Sequence, residues 1–152
     1  MRLRIETEEK KLDNLLEQIG RLDDDELQAH LSKYFCIKIS GYLENTIKSL
    51  VATYSTGNCP YPIKTYIDGS VKGITNLSED KLCKFLKRFN PDWEAKFLST
   101  VSEREIQSLN SVISNRNSIS HGQQDNISYT YVSQYYSDLK GVVNILKDIV
   151  KK

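Results

Sequence analysis

The sequence predicts an all-α protein, and three observations carry that prediction. Apolar residues recur at three- and four-residue steps over long intervals instead of alternating. Glycine and proline are scarce, seven and three in 152 residues, and they cluster at a few points. Residues that cap helices stand just ahead of several apolar-periodic runs.

The elements follow in order. Ile5, Leu12, Leu15, Leu16 and Ile19 make one helical stripe, which Gly20 stops. Asp23 to Glu26 place carboxylates where a helix amino terminus favours negative charge, ahead of the longest apolar run, from Leu27 through Tyr34, Phe35, Tyr42, Leu43 and Ile47 to Val51. Gly41 inside that run costs about 1 kcal/mol relative to alanine, so the close approach of another helix is expected there. Residues 56–76 are dense in punctuation and read as a loop-rich insertion with a short helix between Ile63 and Val71. Ser78 opens an amphipathic helix with Leu82, Phe85, Leu86 and Phe89 inward, and Asn90-Pro91 supplies a cap and first-turn proline for the next. Ser102 and Glu105 form a capping box, and that helix is expected to run to about His121, with Gly122 as its carboxyl cap. A last helix from about Thr130 carries Val132, Tyr135, Tyr136, Leu139, Val143, Leu146 and Val150 on its apolar side.

This length suits one compact domain, able to bury roughly 68–70% of the surface its unfolded chain exposes. The net charge of +1 excludes a protein that coats polyanions indiscriminately. The charge is uneven: residues 1–26 carry −4, residues 33–96 carry +4 and residues 97–152 carry +1. Cys36, Cys59 and Cys83 are too few and too widely spaced for a disulfide framework, and with two histidines they give no zinc pattern. No metal and no other cofactor is expected. The amino terminus lacks the apolar core of a signal peptide and no stretch approaches the ~18 apolar residues of a membrane span, so a cytoplasmic protein with no membrane partner is expected.

Chemistry concentrates in Asn115-Arg116-Asn117-Ser118-Ile119-Ser120-His121-Gly122, a polar cluster at a helix end. Arg116 and His121 lie roughly 140° apart around the helix, whereas Asn117 and His121 share a face. Arginine holds a phosphate with a fixed charge, and histidine exchanges a proton near neutrality, so the pair is a minimal kit for phosphodiester cleavage. The plain alternatives are a histidine satisfied by the helix dipole, an arginine in a surface ion pair and an asparagine bonding locally at the helix end. Lys81, Lys84, Lys87 and Arg88 form a basic stripe, either a solvated face or a track for an RNA backbone. Tyr129 and Tyr131 are candidates for stacking on unpaired bases, while Tyr135 and Tyr136 read as core or dimer contacts. His30 reads as a helix-surface residue and the cysteines as ordinary core or loop residues.

Arg116-Asn117-x-x-x-His121-Gly122, ahead of the last helix of an all-α bundle, resembles the R-x4-6-H signature of HEPN-domain endoribonucleases. The segment from Tyr34 to Lys48, with Gly41-Tyr42-Leu43-Glu44 at its centre, is similar to the long-helix motif of the RiboL-PSP-like HEPN branch. The resemblance spans about residues 24–150 and implies a HEPN-like domain over residues 1–152, with a long first hairpin and a final hairpin around the motif. It further implies a metal-independent ribonuclease acting as a homodimer whose two Arg-His motifs face each other, releasing a 2′,3′-cyclic phosphate and a 5′-hydroxyl. In that reading His121 does the acid-base work, Arg116 neutralises the phosphorane and Asn117 orients the phosphate or the imidazole. Glu44 either orients His121 or Arg116 or pairs with Lys48 one turn on, the pairing being the favoured reading; Ser120 is a second candidate for a supporting role. The biological setting implied is a toxin or defence effector of a bacterial or phage conflict system, with an antitoxin or nucleotidyltransferase partner. The rival readings are a non-catalytic helical module that binds RNA or a partner protein, and a purely structural bundle.

Overall fold

The computed structural model describes residues 2–125 and 127–151. Among these residues there are seven helices and no strand: α1 Arg2–Gly20, α2 Asp25–Ser55, α3 Tyr61–Lys72, α4 Glu79–Phe89, α5 Pro91–Thr100, α6 Glu103–Ser120 and α7 Tyr129–Ile149. Local chemistry fixes most of the starts. The Asp24 carboxylate accepts from the backbone N–H groups of Glu26 and Leu27 to cap α2, and Ser78, Asn90 and Ser128 cap α4, α5 and α7 in the same manner. The expected capping box is complete: Ser102 Oγ accepts from the Glu105 N–H, and Glu105 Oε1 from the Ser102 N–H.

The long helix α2 is the axis of the packing, with α1, α3, α6 and α7 laid against it, while α5 reaches α7 and α4 leans on α5 and α6. Its buried Phe35, Ile39, Tyr42, Leu43 and Ile47 meet Leu109 and Val112 of α6 and Val132, Tyr136, Leu139 and Val143 of α7 in one core. Tyr136 sits at its centre, edge-on to Phe35 at 5.3 Å and to Tyr42 at 6.3 Å between ring centroids. α1 contributes Ile5, Leu12 and Ile19, with Leu15 and Leu16 half-buried beside them.

Two expectations change. Gly41 is not a point of close approach, because a Cβ there would meet nothing within 4 Å; α2 carries it at the propensity cost alone. The tight contact is at Gly20, where a Cβ would overlap the Tyr129 hydroxyl, so the absence of a side chain at the end of α1 admits the first residue of α7. Within residues 56–76, twelve residues form α3, longer than the short helix expected; Tyr61 and Pro62 open it and Val71 anchors it on α2.

Candidate active site

The carboxyl end of α6 closes with a Schellman turn. Gly122 takes φ +65°, the Gln123 N–H donates to the Ser118 carbonyl at 2.8 Å, and the Gly122 N–H donates to the Ile119 carbonyl at 3.2 Å. His121 is the cap residue of this turn, so its backbone is fixed while its imidazole is exposed, with no side-chain hydrogen bond among the described residues. Asn117 and Ser120 are exposed on the same last turns. Asn117 contributes its carbonyl, which accepts from the His121 N–H at 3.1 Å.

Arg116 is set differently. It is half-buried, in no ion pair among the described residues, and its Nη1 donates to the side-chain oxygen of Asn76 in the α3–α4 connection. Its Nε is shut from solvent without a hydrogen-bond partner. Asn76 holds the left-handed conformation, φ 54°, which asparagine tolerates better than most residues. That backbone turns its N–H onto Glu44 Oε1 at 2.9 Å, and Glu44 is 8% exposed on α2. Glu44 therefore does not pair with Lys48, the reading the sequence favoured; its oxygen is taken up by the connection that also holds Arg116.

The floor of this region is α2. Burial, then the Asp125 carboxylate, pushes the Cys36 thiol up to about 12, and the Arg116 guanidinium acts in the opposite direction. Asp125 lies in the stretch after His121; it pairs with Lys33 of α2 at 3.2 Å and accepts from the Ile127 N–H at 3.1 Å. It ties the α6–α7 connection to α2. Sequence reasoning missed both Asn76 and Asp125. For Asn76 the signal was an asparagine in a connection just before a helix cap, whereas for Asp125 nothing local marks the role.

The basic stripe on α4 is exposed at Lys81, Lys84, Lys87 and Arg88. Lys81, Lys84 and Arg88 line a hollow of about 290 Å³ with Gly73, Thr75 and Leu77. Lys81 Nζ donates to the Thr75 carbonyl at 3.3 Å and Lys84 pairs with Asp80 at 2.8 Å, so half of the charge is engaged locally. The Tyr129 ring packs at Gly20 and is half-buried. Tyr131 is 55% exposed and stacks at 6.2 Å on Tyr135, itself half-buried. Among the described residues no group of three or more His, Cys, Asp or Glu side chains is placed to hold a metal ion, and no helix is long and apolar enough to cross a membrane.

A family model for RiboL-PSP-HEPN matches residues 3–152. No curated protein and no solved structure matches the chain.

Proposed function

The chain belongs to the RiboL-PSP-HEPN family, and from that membership we propose that it is a metal-independent endoribonuclease whose reacting groups are Arg116 and His121. The observation that carries the reading is the treatment of Arg116. A guanidinium with one donor buried and unpartnered costs on the order of 1–3 kcal/mol, and here it is held by Asn76 on a connection that Glu44 secures from below. Packing alone gives no reason to keep such a group, whereas a phosphate with growing negative charge does.

The chemistry is transesterification. The ribose 2′-oxygen attacks phosphorus, its proton passes to an imidazole, and the 5′-oxygen leaves with a proton from an imidazole, giving a 2′,3′-cyclic phosphate and a 5′-hydroxyl. One His121 serves one of these transfers at a time, and its ring has no orienting partner among the described residues. A second copy of the chain supplies the second imidazole and the groups that orient the first, so the site is composite across a homodimer. Asn117, on the face of His121, orients the ring or the phosphate, and Ser120 flanks it. The role that suits such an enzyme is that of a toxin or defence effector of a bacterial or phage conflict system, restrained by an antitoxin or nucleotidyltransferase partner.

Full-length protein is expected to cut single-stranded RNA in the presence of EDTA and to behave as a dimer by light scattering at micromolar concentration. His121→Ala and Arg116→Ala should each lower the rate by at least about a hundredfold, in line with the loss of an acid-base or charge-stabilising group. Cleavage at wild-type rate by either variant refutes the assignment. The exposed, unoriented His121 also suits a second reading, a non-catalytic RNA-binding module, for which RNA is bound and not cut.

A further inference from the structure

The negative first helix proves to be a wall of a positive groove. Net charge over residues 1–26 is −4, yet three of the α1 carboxylates are held outside the groove and only Glu8 lines it. Glu9 accepts from the Tyr42 hydroxyl and lies 3.8 Å from Lys147, Asp13 accepts from the Tyr136 hydroxyl at 2.7 Å and pairs with Lys140 at 3.3 Å, and Glu17 pairs with Arg21. The cations α1 presents toward α2 are Arg4 and Lys11, seven residues apart and so on one face, with Thr7 and Glu8 between them; Arg4 also faces α3. Two hollows meet there, of about 580 and 290 Å³, sharing Arg4 and Asn45. Lys38 and Lys11 stand in the first, Lys48 and Lys72 in the second. None of these five cations is in an ion pair among the described residues. Of the two carboxylates in the walls, Glu8 accepts from the Asn45 amide at 3.2 Å, and Asp68 pairs through Oδ2 with Lys64 at 2.8 Å while its Oδ1 is buried without a partner.

We infer that this α1–α2–α3 groove, rather than the α4 stripe, is the track for the phosphate backbone of a single-stranded nucleic acid. From Lys38 to Lys48 the groove follows α2 for about 15 Å, longer than one phosphate group and suited to several in succession. A protein partner is the poorer fit: protein interfaces are depleted in lysine and need buried aromatic or aliphatic anchors, and among the described residues Val71 and Ala52 are the only apolar ones in either wall. Lys72, at the end of α3, leads the groove toward the connection that holds Arg116. The identity of the strand as RNA rests on the ribonuclease reading; the groove itself does not.

The test uses the full chain and an uncleavable single-stranded probe, a 2′-O-methyl oligonucleotide of twenty residues, titrated by fluorescence anisotropy between 50 and 200 mM salt. Lys11→Glu/Lys38→Glu/Lys72→Glu, all at exposed positions, should weaken binding at least tenfold and flatten the salt dependence by roughly 0.7 per neutralised contact, with thermal unfolding unchanged. The neutral triple alanine variant should show a smaller loss in the same direction, which separates lost contacts from added repulsion. Unchanged binding in the triple variant, with the loss appearing in Lys84→Glu/Arg88→Glu, overturns the inference. So does a groove that takes polyglutamate in place of the oligonucleotide. Oligonucleotide binding through the groove by a protein that cuts no RNA leaves the inference standing and removes the ribonuclease reading; RNA cleavage without dependence of binding on the groove does the reverse.

Discussion

Asn76 is the residue on which the candidate site turns. Its backbone N–H meets Glu44, its side-chain oxygen meets Arg116, and the left-handed φ of 54° lets one residue face both. Glycine adopts that φ freely but has no amide. Asn76→Gly should therefore keep the backbone bond to Glu44 and change stability by less than about 1 kcal/mol, while kcat for RNA cleavage falls about tenfold with KM little altered, the pattern of an interaction made in the transition state. Asn76→Asp keeps the acceptor and should restore most of the rate. Equal losses in stability and activity in the glycine variant would reduce Asn76 to a structural residue.

Among the elements, α6 determines where both named groups stand. Its capping box fixes the start, its buried Leu109, Val112 and Ile113 fix its rotation on the core, and the Schellman turn fixes its cap residue, His121. The turn needs φ +65° at Gly122, where a Cβ would touch nothing but the conformation itself is strained for any L side chain. Gly122→Ala is expected to cost about 1–2 kcal/mol, lowering the melting temperature by a few degrees. It should lower RNA cleavage further than that stability loss accounts for at a temperature where the variant is fully folded, since His121 and the Asp125 tether lie on either side of the turn. Calorimetry and a cleavage assay at 20 °C on the same preparation check both.

Across the whole molecule, burial and hydrogen bonds to carboxylates act on several weak acids in the same direction. Burial raises the Cys36 thiol from 9.0 to about 12 and the Cys83 thiol from 9.0 to about 11. Burial, helped by the bonds to Glu9 and Asp13, also pushes the Tyr42 and Tyr136 phenols well above their ordinary value of 10.0. Each group keeps its proton in the folded chain at pH values where the unfolded chain has lost it. The unfolded state then binds fewer protons, so stability is fully present below about pH 9 and falls as pH rises through 9 to 11. Thermal unfolding followed from pH 7 to 11 should show that decline, and Tyr42→Phe should flatten it; a melting temperature constant to pH 11 would contradict the burial of these groups.

The sequence by itself determined most of the helices and their ends, α3 excepted, because caps, apolar periodicity and glycine stops act within a few residues. Ser78, Asn90, the Ser102–Glu105 box and Gly122 are all local signals and were all legible, as was the clustering of Arg116, Asn117 and His121 on one helix end, whereas the carboxylate run at 23–26 marked the start of α2 without singling out Asp24 as its cap. Long-range contacts were not. Gly41 and Gly20 look alike in a propensity argument, and only the arrival of Tyr129 tells which one is a point of contact. Glu44 has Lys48 at helical spacing and still bonds to Asn76, thirty-two residues away, because burial on α2 turns it from its neighbour toward the α3–α4 connection. Summed charge marked residues 1–26 as acidic, but a sum has no direction. The tertiary structure supplied it, drawing Glu9 and Asp13 onto buried tyrosines and leaving Arg4 and Lys11 to face the groove. Periodicity and capping are properties of neighbouring residues and survive in one dimension, whereas the partner of a buried polar group is decided by which distant surface the packing brings against it.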